Sequence, residues 1–157
     1  MRTQNFHVTA RVTALDEVES RAFLARQRVG RLAFALGGSI DIMPLSYTFD
    51  GGWILGRTSV GTMLRTLAHN PACAFAVDQA LGSFDWMSVV AKGNFQLLDP
   101  ECGSPDVYTR ALTSVRAQVP EAFSPSDPFP HRDILFGIYV NEIAGRRMRP
   151  LMRPSGR

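Results

Sequence analysis

The sequence predicts an α+β protein, mainly β, built on a small barrel. Apolar runs of strand length are separated by the glycine pairs Gly37-Gly38 and Gly51-Gly52, the pattern of hairpins. Segments with helical spacing are inserted between the strands, and a long apolar run is interrupted by Gly93, where a bulge or strong bend would let a sheet curl. About six strands, mostly joined by short turns, fit one domain covering residues 1–157, whose 45% hydrophobic content is enough for a real core.

Thr13, followed three residues later by Asp16, suggests a capping box ahead of LDEVESRAFLARQ. In that helix Leu15, Val18, Ala22 and Phe23 recur at helical spacing, and Gly30 stands near its far end. RLAFAL and SIDIMPLSYTF read as strands, the second carrying Ile40, Ile42 and Tyr47, and WILGRT follows the second glycine pair. VGTMLRTLAHN places Met63, Leu64 and Leu67 on one helical face, and Asn70-Pro71 stops it. ACAFAVD is a buried strand and WMSVVAKGNFQLLD a long one. A helix begins near Pro105, PEAFSPSDPFPH reads as a surface loop, and the closing strand puts Ile134, Phe136, Ile138 and Val140 on one face.

Charge and cysteine usage narrow the partners. The net charge of +3 comes mainly from arginine, scattered except in the ending GRRMRPLMRPSGR, which reads as a solvated, frayed tail. No aromatic-interleaved basic surface accompanies it, so nucleic acid is not expected. Cys73 and Cys102 have neither a CxxC partner nor zinc-ligand spacing, which suggests a reducing compartment. The start of the chain lacks the apolar core of a signal peptide, and no window approaches the roughly 18 apolar residues of a membrane helix. A soluble, cytoplasmic protein is expected, and the alanine and arginine usage suits a GC-rich bacterial source.

No Ser-His-Asp, Cys-His or paired-carboxylate constellation stands out, and His7, His69 and His131 are isolated, so no catalytic residue is assigned. Tyr47 reads as a proton donor or, more commonly for a barrel strand, as core. The chemistry-bearing stretch is RTSVGTMLR, where a strand ends and a helix begins. Backbone N–H groups at such a junction, with the helix dipole, favour an anion. Arg57, Thr58, Ser59, Thr62 and Arg65 can add donors. In the alternative reading Ser59 only caps the helix, Gly61 eases the turn and the arginines are solvated. The spacing matches neither a P-loop nor a dinucleotide fingerprint.

The order of RVGRLAFALGGSIDIMPLSYTFDGGWILGRTSVGT, LAHNPACAFAVD, FDWMSVVAKGNFQLL and EIAGRRM resembles the flavin-binding split-barrel family related to pyridoxamine 5'-phosphate oxidase. More narrowly it is similar to the small flavin-nucleotide-binding branch that includes the nitroimidazole-resistance proteins. The resemblance spans about residues 13–149. It implies a six-stranded Greek-key split barrel that forms a homodimer, with FMN where the subunits meet. Met43, Pro44, Leu45 and Ser46 would then run beside the isoalloxazine. Arg57, Thr58, Ser59 and the turn amides around Gly61 and Thr62 would take the phosphate. Trp86 and Ser88 would cross the interface, and Arg147, chosen over Arg146, would reach the cofactor.

The family's usual lysine after the Gly-Thr pair is Met63 here. That removes a cation–phosphate bond of about 1.5–3 kcal/mol, or about ten- to a hundredfold in affinity, and shifts the load to Arg57 and Arg65. What the resemblance implies is an oxidoreductase moving hydride or electrons between a reduced nicotinamide or other donor and a small-molecule acceptor. F420 in place of FMN, and a non-enzymatic flavin or haem module, are the alternatives. Haem would need an axial ligand that the sequence does not visibly place.

Overall fold

One antiparallel sheet organises the chain in the structure, a computed structural model that describes residues 9–151. In chain order the elements are β1 (Thr9–Leu15), α1 (Glu17–Arg26), β2 (Val29–Leu36), β3 (Ser39–Ser46), β4 (Thr48–Asp50), β5 (Trp53–Thr58), α2 (Thr62–His69), β6 (Ala72–Gly82), β7 (Asp85–Leu97), α3 (Pro105–Gln118) and β8 (Ile134–Leu151). The strand order is β3-β2-β6-β7-β8-β5-β4, with β1 added on β8. β3 and β4 are the two ends of that order, yet Tyr47 alone separates them in the chain, so the sheet must curl until its ends meet. The ends do not pair with each other, and the barrel stays open.

The described residues form eight strands rather than six, for two physical reasons. SIDIMPLSYTF breaks at Tyr47, whose side chain turns into the core, where its hydroxyl donates to the Leu24 carbonyl and its ring meets Phe75 edge-on at 4.8 Å. The segment before α1 is itself a strand, paired with β8 from Thr9↔Leu151 to Leu15↔Gly145. That pairing also corrects the expectation of a frayed arginine tail as far as Leu151; His7, Arg153 and Arg157 lie outside the described residues.

The cap of α1 is Asp16, not Thr13: the Glu19 amide donates to Asp16 Oδ1 at 2.7 Å and the Asp16 amide to Glu19 Oε2 at 3.1 Å. Val18 and Ala22 face solvent, and the buried face is Ser20, Phe23 and Leu24. Gly30 does not end this helix but lies in β2, where a Cβ would stand 2.2 Å from the Phe75 ring.

Phe23 and Leu24 of α1, Met63, Leu64 and Leu67 of α2, and the inward residues Leu32, Phe75, Val89 and Phe136 form the main core. A second cluster, with Leu55, Ala111 and Leu135, seats α3. The opposite sheet face carries small and apolar side chains. Register sets Ala33 between Ile42 and Ala74, and Val90 between Ala76 and Ala144. Ile40, Ile42 and Val90 are exposed there. No helix among the described residues is long and apolar enough to cross a membrane.

The bend in β7 is where the sequence places it. The β7–β8 register shifts between Lys92 and Gly93, and a Cβ on Gly93 would stand 2.0 Å from the Tyr139 carbonyl oxygen. Backbone cannot step aside as a side-chain tip can, so Gly93→Ala should cost about 1–3 kcal/mol in urea denaturation. Gly82→Ala, which meets nothing within 4 Å, should cost nothing measurable by the same method.

Candidate functional site

At the strand-to-helix junction, β5 ends on a buried Thr58, Ser59 is half-buried, and Gly61 is the N-cap of α2. Gly61 has φ −175° and ψ −173°, extended backbone open to any residue, so the turn does not require glycine. What glycine provides is room, since a Cβ there would meet nothing within 4 Å. No side chain caps the helix, and Ser59 is not the cap. The first intrahelical donor is the Arg65 amide, to the Gly61 carbonyl at 3.1 Å, so the Thr62, Met63 and Leu64 amides have no partner within the helix. Thr62 and Arg65 are exposed beside them, and Arg65 makes no ion pair among the described residues. Met63 is part of the core, so the position of the family's lysine is filled by a thioether turned inward.

Arg57 faces another way. Its guanidinium donates to Asp127 through Nη1 at 2.6 Å and Nη2 at 3.1 Å, with the two side chains only 8% and 3% exposed. The rings of Phe123 and Phe129 lie 5.4 and 5.9 Å from the guanidinium carbon. Asp127 also accepts from the amides of Phe123 and Phe129, each at 2.8 Å. The bond from Arg57 and those two amides hold its carboxyl below the usual carboxylate range, against the opposing effect of burial. The expected bidentate cation for a phosphate is thus engaged by a carboxylate of the chain itself. The segment expected as a surface loop is anchored by the same contact, with Ala122 buried.

The strand expected beside a flavin ring, β3, is an edge of the sheet, so one side of its backbone is not used by the ladder. Met43, Pro44 and Ser46 are exposed and Leu45 is half-buried; an edge is also where a proline is tolerated. On the outer sheet face Trp86, Ser88 and Arg146 share a depression of about 330 Å³ with Val90 and Ala144. Ser88 is directly opposite Arg146. Arg147 is on the other face, donating to Met87 Sδ at 3.2 Å, with Arg26 Nη2 3.7 Å from the same sulfur. The structure therefore groups Arg146, not Arg147, with Trp86 and Ser88. Strand alternation carries that signal, because 146 is the residue that shares a face with its cross-strand partner 88.

Two further reactive groups, Tyr47 and Cys73, are buried or half-buried. Burial raises the Tyr47 phenol and pushes the Cys73 thiol up to about 11. His69 is exposed at the end of α2, its Nδ1 2.8 Å from the Arg65 carbonyl oxygen. Among the described residues no group of three or more His, Cys, Asp or Glu could hold a metal ion.

A curled, open antiparallel sheet with three helices and an uncapped strand-to-helix junction defines a class of small α+β proteins. Residues 16–147 match the pyridoxamine 5'-phosphate oxidase family, and the chain belongs to it. Its fold is similar to that of a FAD-binding protein from Mesorhizobium loti, at 23% identity over 87% of this chain and 97% of that one, with a TM-score of 0.70. It is also similar to a candidate 5-nitroimidazole antibiotic resistance protein from Bacteroides thetaiotaomicron, at 12% identity over 96% of both chains and a TM-score of 0.70. A FAD- and haem-binding protein from Mycobacterium smegmatis shares the fold at 16% identity, over 90% of this chain and 85% of that one, with a TM-score of 0.58. No curated protein sequence matches the chain.

Because the folded state holds the Asp127 carboxyl below its unfolded value, the ion pair's contribution is present above about pH 4, near the ordinary aspartate value, and is lost as pH falls below it. Asp127→Asn should lower the urea midpoint at pH 7, and its deficit relative to wild type should narrow progressively as pH falls below about 4. A pH-independent deficit would contradict the assignment.

Proposed function

We propose that the protein binds FMN as a homodimer and acts as a cytoplasmic oxidoreductase on a small acceptor. The open sheet is read as the protomer of a Greek-key split barrel. The observation that carries the proposal is the start of α2, where three amides have no partner within the helix, no side chain caps them and a Cβ on Gly61 would meet nothing within 4 Å. These residues fit a phosphate: the amides of Thr62, Met63 and Leu64, with the side chains of Ser59, Thr62 and Arg65, would hold it. Thr58 and Arg57 would support the turn from inside, and the β3 edge from Met43 to Ser46 would lie along the ring.

The apolar patch at the middle of the outer face, bordered by the Arg31–Asp78 and Lys92–Glu142 ion pairs, supports the dimer, since Ile42, Val90 and the alanines beside them would be covered by the same face of a second copy. Trp86, Ser88 and Arg146 would then complete the site of the other subunit. Bound FMN supplies hydride or electron transfer, and the chain's part is to bind and orient it. The solved relatives that bind FAD favour a flavin. Met63, which leaves the junction one cation poorer, favours F420 as the second reading.

Riboflavin lacks only the phosphate, so it isolates the junction's contribution. FMN should bind more tightly than riboflavin in fluorescence titrations, and Thr62→Val with Arg65→Ala should weaken FMN about ten- to a hundredfold while leaving riboflavin unchanged. Equal affinity for the two flavins would refute the phosphate site, and retention of F420 without FMN would move the cofactor to the deazaflavin.

A further inference from the structure

The segment pinned by Arg57 and Asp127 roofs a second feature. Beneath it lies a cavity of about 90 Å³ with Leu55, Val119 and Phe129 as apolar walls and Thr48, Gln118 and Arg132 as polar ones. Ser46, Thr48 and Gln118 also line an adjoining, wider cleft of about 560 Å³ that carries Arg28. No aspartate or glutamate lines either space, and neither Arg28 nor Arg132 makes an ion pair among the described residues. Arg57, at the same wall, is neutralised by Asp127 and offers the cavity no net charge. Thr48 Oγ1 is buried without a hydrogen-bond partner, whereas Gln118 Nε2 already donates to the Tyr47 carbonyl at 3.0 Å. The Arg132 guanidinium carbon is 5.5 Å from the Phe129 ring centre, so cation and aromatic wall are adjacent.

We propose that this cleft binds a small carboxylate with an apolar body, the carboxylate taken by Arg132 or Arg28 and the body lying against Phe129, Leu55 and Val119. Two exposed guanidinium groups with no carboxylate of the chain beside them are free to take an anion, and the planar fork of arginine suits a carboxylate. The inner chamber is far smaller than the roughly 300 Å³ of pockets that enclose drug-sized ligands, so it admits a short chain or part of one ring. Ser46 is shared with the β3 edge, which would set such a ligand beside the flavin ring. That the ligand is the flavin's substrate rests on the function proposed above; that the cleft binds a carboxylate does not.

The probe is 4-fluorobenzoate, followed by ¹⁹F NMR on the full chain, with its neutral analogue 4-fluorobenzamide alongside. The benzoate should bind at least tenfold more tightly than the benzamide, and Arg132→Gln with Arg28→Gln should abolish that preference while the flavin titration stays unchanged. Butyrate should displace the probe and inorganic phosphate should not. Equal binding of benzoate and benzamide, no binding of either, or a preference that survives the double substitution would overturn the proposal. Displacement by phosphate would overturn the ligand class. Displacement by FMN would make the cleft part of the flavin site and overturn a separate one. Because the probe is read without flavin first, a protein that binds benzoate but no FMN refutes the flavin reading alone.

Discussion

The contact on which the site depends is the buried pair of Arg57 and Asp127. Two charges taken out of water repay that cost only when their geometry is good and their remaining hydrogen-bonding capacity is met. Both conditions hold here: the guanidinium meets the carboxylate through two nitrogens, two amides complete the carboxylate, and two aromatic rings flank the cation. The consequence runs in two directions. A proline-rich segment of short turns is fixed against the end of β5, and the strand-to-helix junction next in the chain loses its innermost cation.

What remains at the junction is mostly backbone. Unpaired amides at a helix start attract an anion through direction as much as charge, and Gly61 leaves their approach open. Arg65 is the nearest side-chain cation in sequence that is not already engaged, and Met63 contributes packing instead of charge. Such a site can discriminate a phosphate ester from an alcohol while binding it less tightly than one with a lysine in that place. The other half of the proposed site lies on a different surface, where strand alternation gathers Trp86, Ser88 and Arg146. Neither half is enclosed within one chain, which is why a second copy belongs to the functional account.

Features set by neighbouring residues were legible in the sequence. The glycine-pair hairpins, the apolar face of α2 and the bend at Gly93 follow from local spacing, and all appear in the fold. Pairings between distant segments were not legible. Arg57 and Asp127 are 70 residues apart, and nothing in SPSDPFP announces that its aspartate turns inward. The β1–β8 ladder joins the two ends of the described chain, so each half alone looked like a helix cap or a basic tail. The motif did not separate Arg146 from Arg147, whereas the register sets Arg146 opposite Ser88 and Arg147 opposite Met87.

The most direct test of the account is where the flavin travels. Sedimentation velocity of the FMN-loaded protein, followed at both 280 and 450 nm, should show the yellow absorbance moving with a species of about 35 kDa, twice the 17.3 kDa chain, at one FMN per chain. Flavin moving with a 17 kDa species, or none moving with protein at all, would contradict a site completed by two copies.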